Sequence, residues 1–363
     1  MGAVLLLVLL PACAPGPAER ERARLRADVD SIAAWFLRLD PTPGMSIAVV
    51  RGGDTLVMKG YGMARLEAGT PVTSGTVFAI GSITKSFTAA AVMRLVEEGR
   101  LRLDATVGEL LPEYRGPGRT ATVHHLLNHT SGIPTYPRSM VGPRDPAEAE
   151  RTPAEMLALF SGQPPDFAPG ADFRYSNSAY YLLGLIVERV SGPPDGAYVE
   201  RALVRPAGLR RTGLCSAISA DSVRAKGYDG FIGRVRDAPR ENPGDHGAAG
   251  SMCSTSRDLV RWMHALREGV AVSPASYERM TVDAAVPAWE RTRVGYGLMM
   301  GEIQGHPMIF HGGSLAGFNS VMLHFPADAL TIVVLANGPM PVQNVAAEVA
   351  RAVLGLERVR REY

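Results

Sequence analysis

Lysine is nearly absent from this chain. Of 38 basic residues only Lys59, Lys85 and Lys226 are lysines, and the rest are arginine. Arginine therefore serves wherever a solvated cation suffices, and each lysine invites a reason. A guanidinium stays protonated in a protein, whereas an amine taken out of water can give up its proton. Cysteine is scarce too, at positions 13, 215 and 253, and no Cys/His set has the spacing of a zinc site. A net charge of +2 offers no basis for binding nucleic acid or an acidic partner. No internal repeat is present. What is there, 46% hydrophobic and 20% charged over 363 residues, suits a globular chain with one large core or two lobes.

The leading apolar run, Met1 through Leu10, falls short of the roughly 20 residues that cross a bilayer. It reads as the core of an export signal, although the usual positive start is missing. Leu10-Pro11-Ala12-Cys13 is similar to a bacterial lipoprotein cleavage box, which would make Cys13 a lipidated membrane tether. The alternative is an apolar tail on a cytoplasmic protein. Pro15-Gly16-Pro17-Ala18 reads as a tether. The expected location is thus the periplasm or cell envelope. In such an oxidising compartment Cys215 and Cys253 fit a disulfide, and as small apolar residues they fit two buried thiols equally well.

Helical periodicity runs through residues 22–39, with Leu25, Val29, Ile32, Trp35/Phe36 and Leu39 on one side. Met45–Arg51 and Thr55–Tyr61 read as strands joined by a Gly52-Gly53-Asp54 turn. A helix starts at Ser82 and ends at Gly99. Thr152-Pro153-Ala154-Glu155 is a capping box, Asn177–Val190 an apolar helix, and Thr255 caps another helix to about Leu266. Residues 137–150 suit a mobile loop, and 221–247 support no assignment. Tyr296–Glu302, Met308–His311, Phe318–Phe325 and Thr331–Ala336 read as strands, and Val342–Leu354 as a last helix. Strands at both ends with helices between imply an α/β (α+β) fold, with one antiparallel sheet built from both termini and a helical lobe inserted within it. The corresponding division is a leader and tether at 1–21, a sheet-containing lobe at 22–80 plus 248–358, and a mainly helical lobe at 81–247.

Three stretches carry chemistry. In Gly81-Ser82-Ile83-Thr84-Lys85 a glycine turn opens a helix, and the three-residue spacing stacks the Lys85 amine over the Ser82 hydroxyl. Unpaired N–H groups at the helix mouth favour negative charge developing there. Ser-x-x-Lys also fits a capped helix with a solvated lysine. Tyr175-Ser176-Asn177 places a phenol able to shuttle protons beside an amide able to hold Lys85 and a substrate; a helix cap with a core tyrosine reads the same way. His311-Gly312-Gly313-Ser314 follows an apolar strand. Its glycines open an edge for substrate, His311 would donate toward a substrate acid or leaving group, and the Ser314 N–H would join that of Ser82 as an oxyanion hole. The bland counterpart is a glycine bulge beside a buried histidine.

In this order the three stretches resemble the serine β-lactamase and penicillin-binding protein superfamily, on its class C, D-aminopeptidase and family VIII esterase side. The likeness extends through His125–Gly132, Ser254–Leu259 and Gly313–Phe318, nearly the whole chain after the leader. It implies a β-lactamase/transpeptidase-like fold, Ser82 as the acylated nucleophile, Lys85 and Tyr175 as proton carriers, and Asn177 and His311 as substrate-positioning residues; the glycine edge and the Ser314 N–H add Gly313 and Ser314 to the expected substrate-binding set. It implies a small-molecule, peptide or ester substrate and no cofactor. Penicillin-active members usually carry Lys-Thr-Gly where this chain has His311-Gly312-Gly313, and a histidine is mostly neutral at pH 7. The expected function is hydrolysis of an amide or ester through a Ser82 acyl-enzyme, as an esterase, a D-amino-acid peptidase or a weak β-lactamase. The alternative is a cell-wall sensor that is acylated or occupied without turnover. His124, His125 and His129 raise a metal site, but no Glu lies between 125 and 129 as in His-Glu-x-x-His, and the likeness makes His129 a turn residue.

Overall fold

A computed structural model of the chain describes residues 16–136, 151–218, 224–231, 233–239, 241–282 and 293–357. Cys13, the leader and the expected loop at 137–150 lie outside the described residues. In chain order the elements begin with α1 (Pro17–Leu39), β1 (Gly44–Arg51), β2 (Asp54–Arg65), β3 (Thr70–Pro71) and β4 (Phe78–Ala79). A 3₁₀ turn, Gly81–Ile83, leads into α2 (Thr84–Glu97). Then follow α3 (Val107–Leu110), α4 (Val123–Leu127), α5 (Pro153–Ser161), α6 (Asn177–Ser191), α7 (Asp195–Val199), β5 (Gly213–Leu214), β6 (Tyr228–Phe231) and β7 (Arg234–Asp237). A 3₁₀ segment, Pro243–Ala249, precedes β8 (Met252–Ser254), α8 (Ser256–Arg267) and α9 (Pro274–Thr281). The chain closes with β9 (Arg293–Val294), β10 (Met299–Ile303), β11 (His306–Leu315), β12 (Phe318–Phe325), β13 (Leu330–Ala336) and α10 (Val342–Leu354).

Eight strands form one antiparallel sheet in the order β3-β2-β1-β13-β12-β11-β10-β9, so the two ends of the chain meet at its centre. Met45 pairs with Ala336 and Val49 with Ile332. Both faces of the central strands are covered, which is why they read as nearly continuous apolar runs. On the outer face Ile47, Val49, Val321, Leu323, Ile332 and Val334 meet α1 and α10. Helix α10 supplies Val342, Val345, Ala346, Val349, Ala350 and Val353, one stripe at helical spacing. On the inner face Ala48, Met322, Val333 and Leu335 join the core that encloses α2. Helix α2 is buried nearly all round, as its apolar sequence requires. Its Phe87 stacks on Trp262 of α8 with centroids 3.9 Å apart.

Several boundaries differ from expectation. Helix α1 begins at Pro17, so half of the expected tether is helical, with proline at a position where its missing N–H costs nothing. β10 starts at Met299, not Tyr296. Gly297 has φ +64°, and a Cβ there would lie 2.4 Å from the Lys85 carbonyl oxygen; this segment packs on α2 before the strand can begin. β11 runs on through His311, Gly312 and Gly313 to Leu315, where the sequence suggested a strand ending at His311. The glycines serve close approach and not a bulge: a Cβ on Gly313 would sit 2.0 Å from the Ile80 carbonyl oxygen. Within 221–247 the described residues form the β6–β7 hairpin and the start of the 243–249 segment. Cys215 and Cys253 are joined as a disulfide, which settles the choice the sequence left open.

Candidate active site

The site is assembled where the short β4-β8-β5 sheet hands the chain to α2. Ile80 N donates to the Met252 carbonyl at 3.0 Å, fixing the residue before the turn. Gly81 takes φ +49°, and a Cβ there would lie 2.9 Å from Ser314 N, so only glycine allows the turn to lie this close to β11. Ser82 follows, half-buried, with Lys85 one turn on and wholly buried.

The Lys85 Nζ donates to Ser82 Oγ at 3.1 Å, to Asn177 Oδ1 at 2.8 Å and to the Ala249 carbonyl at 2.7 Å. An amide oxygen and a backbone carbonyl can only accept. They therefore hold two N–H bonds whatever the charge of the amine, and the third position, proton or lone pair, faces Ser82. Asn177 is available for this because Ser176 caps α6, its hydroxyl accepting from Ala179 N. Thr135 Oγ1 further anchors the Asn177 N–H at 3.1 Å.

The Tyr175 ring lies over this amine, its centroid 4.9 Å from Nζ. His129 stacks beneath Tyr175 at 4.4 Å and accepts from Ser176 N through Nδ1. Burial, with Lys85 and His311 nearby, holds His129 neutral, its pKa well below the usual histidine range. His129 has φ +62°, rare for a side chain with a Cβ. Beyond the turn expected of it, His129 is the platform of Tyr175. The metal alternative does not assemble. His124 engages Tyr296 and Asn128, His125 bonds Thr122, and no group of three ligating side chains forms among the described residues.

His311 is buried, and burial with the Lys85 charge lowers its pKa to about 4. Its Nδ1 lies 2.6 Å from the Gly312 carbonyl. A neutral ring has one proton and a carbonyl can only accept, so the proton sits on Nδ1 and Nε2 carries a lone pair. This reverses the expected polarity, in which His311 donates to substrate.

Ser82, Tyr175, Asn177, His311, Gly313 and Ser314 all line one cleft of about 440 Å³. Tyr136, His246, Ala249, Phe310 and Gln343, which sequence reasoning did not single out, line it too. The Ala249 carbonyl had no sequence signal. His246 stood in a segment without recognisable periodicity.

The Beta-lactamase family model matches residues 32–356. The chain is 28% identical over 335 residues to a D-aminopeptidase of Gluconobacter oxydans (strain 621H), the match covering 92% of this chain and 62% of that protein. The chain thus spans less than two thirds of that relative. It is 31% identical over 346 residues to esterase EstB of Burkholderia gladioli, covering 86% of this chain and 83% of the esterase. Among solved structures, the octameric penicillin-binding protein homologue from Pyrococcus abyssi superimposes with TM-score 0.79 and 32% identity, over 92% of this chain and 78% of that one.

Proposed function

The chain belongs to the beta-lactamase family, and from that membership we propose that it is a serine hydrolase cleaving an uncharged ester or amide through a Ser82 acyl-enzyme. Lys85, held by Asn177 and Ala249, accepts the Ser82 proton as Oγ attacks the carbonyl carbon. The backbone N–H groups of Ser82 and Ser314 receive the oxyanion. Tyr175, set against the amine, passes the proton to the leaving group. Water then releases the acyl group and restores Ser82. The relatives described above include an aminopeptidase and an esterase, which supports both bond types.

The observation that carries the substrate reading is the cleft wall. Among the described residues the side chains lining it carry no fixed charge, the Lys85 amine lying behind Ser82, and His311 offers a neutral lone pair where a lysine would hold a carboxylate. Carboxylate-bearing β-lactams gain nothing there. The disulfide supports an oxidising compartment, and we extend the proposal to an exported protein tethered through Cys13.

Wild type and Ser82→Ala are compared on p-nitrophenyl butyrate, D-alanyl-p-nitroanilide and nitrocefin. The expected result is multiple turnovers on the ester or anilide, slowest turnover on nitrocefin, and a loss of about 10³-fold or more in the variant. One stoichiometric adduct on Ser82 without turnover would make the protein a sensor. Full turnover by Ser82→Ala would remove Ser82 from the chemistry.

A further inference from the structure

The segment Pro243–Ala249 does more than supply the Ala249 carbonyl to Lys85. It also places an imidazole, His246, in the wall of the same cleft. His246 is buried, and its Nε2 lies 3.3 Å from Glu241 Oε2. A carboxylate only accepts, so it draws the ring proton to Nε2 and leaves Nδ1 as the lone-pair nitrogen. Among the described residues the ring's hydrogen-bond partner is Glu241, through Nε2. A base oriented through its second nitrogen by a carboxylate is the arrangement that activates a hydroxyl or a water.

The segment is held rigidly. Arg151 donates to the buried Asp245 through its backbone N at 2.8 Å and through its guanidinium. Gly247 takes φ +46°, and a Cβ there would press on the Tyr181 ring. Gly250 leaves open the space between His246 and the nucleophile turn: a Cβ on it would lie 3.2 Å from His246 Cβ and 3.8 Å from the Gly81 carbonyl carbon.

We propose that His246, oriented by Glu241, is the general base that deacylates Ser82. The inference rests on the acyl-enzyme reading above. In this step a water oxygen bonds to the acyl carbon while His246 Nδ1 takes the water's proton. The bond from that carbon to Ser82 Oγ then breaks, and Oγ is reprotonated by Tyr175. The acid product leaves, and the proton held on His246 passes through solvent to Tyr175, so that every group ends as it began. The other cleft imidazole suits this step poorly. His311 has a pKa of about 4, and a base works best with a pKa near the working pH. Among the described residues the charged and titratable groups around His246 are Glu241 just before its segment, Asp245 on it, Arg151 on Asp245, Lys85 on the Ala249 carbonyl, Tyr181 against Gly247, and Tyr136, Tyr175 and His311 across the cleft.

The test is burst kinetics with p-nitrophenyl acetate on wild type, Ser82→Ala, His246→Ala, His246→Gln and Glu241→Gln. Intact-mass detection of the acyl-enzyme and thermal melts accompany it. Both His246 variants are expected to lose about 10²-fold in kcat, with KM falling in step and kcat/KM within about twofold of wild type. Acetylated Ser82 should accumulate and decay about 10²-fold more slowly once isolated. Glu241→Gln should show the same pattern more weakly. The proposal fails if folded His246 variants deacylate at the wild-type rate. It fails equally if kcat/KM falls with kcat, since His246 would then act in acylation or binding. Wild-type turnover by Ser82→Ala would instead overturn the acyl-enzyme reading itself, independently of His246.

Discussion

His311 and His324 lie on neighbouring strands and face the inner side of the sheet, since Ile309 pairs with His324 and His311 with Met322. Both have pKa values lowered to about 4, chiefly by burial. At His311 the nearby Lys85 charge adds to the effect and the site uses the resulting neutrality. His324 has no such use. Its Nδ1 meets Thr331 Oγ1 at 3.0 Å, and among the described residues its Nε2 has no partner. An unfolded histidine titrates near 6.5, so between about pH 6.5 and 4 the unfolded chain binds a proton that the folded chain refuses. Stability from this group is complete above pH 6.5 and disappears as the pH falls through 4, on the order of 3 kcal/mol in all. His324→Gln should therefore flatten the decline of urea midpoint between pH 7 and 4. A parallel decline in variant and wild type would assign the acid sensitivity elsewhere. At this scale the sequence exposed Ser82 and Lys85, because lysine is so rare, and also Tyr175, Asn177 and His311 through their neighbours. It could not show the direction of the His311 hydrogen bond or the Ala249 carbonyl, because backbone acceptors and tautomers are decided only by tertiary contact.

Among the elements, those with their own periodicity were legible nearly to the residue. Helix α10 spans Val342–Leu354 as read, and the capping box at Thr152 forms as its four residues suggest. The β6–β7 hairpin was not legible, because its strands are four residues each and the second is exposed throughout, leaving no alternation to read. β11 runs past its expected end for a different reason: two glycines look like a strand's end when the element they must admit is distant in sequence. That element is the Ile80–Ser82 turn. Ser320 Oγ donates to the Ile80 carbonyl at 2.8 Å, while the Gly313 backbone passes beside it. Gly313→Ala should push β11 away from the turn and separate Ser314 N from Ser82. The expected outcome is a stability loss of about 1–3 kcal/mol and a drop in the acylation rate that exceeds any change in substrate affinity. Gly312→Ala is the control, because its added Cβ would press only on the end of the Gln343 side chain, at 3.1 Å, and sit at ordinary contact distance, 3.5 Å, from the Ser320 carbonyl oxygen. Equal effects at both positions would mean that close packing on Ile80 is not what the strand needs.

The molecule as a whole is closed by contacts far apart in sequence. β1 pairs with β13, and the residues between them supply the helices and the short β4-β8-β5 sheet that carry the nucleophile. That short sheet is the weak joint. Its strands have two or three residues each, too few to hold their register by hydrogen bonds alone. The Cys215–Cys253 disulfide spans 38 residues and fastens the turn after β5 to β8. β8 in turn pairs through Cys253 with Ala79, two residues before Gly81. Closing a loop of that length removes unfolded-state entropy worth about 4 kcal/mol in the chain-entropy view. The paired variant Cys215→Ala/Cys253→Ala should accordingly lose about 2–4 kcal/mol in urea unfolding while keeping ester turnover at 25 °C. Its activity should fail at a lower temperature than its far-ultraviolet circular dichroism signal, because the joint beside Ser82 loosens before the eight-stranded sheet. Wild type treated with a phosphine reductant should behave like the variant. If reduction and substitution leave both midpoints unchanged, the strand pairing alone holds the joint, and the disulfide no longer argues for an oxidising compartment.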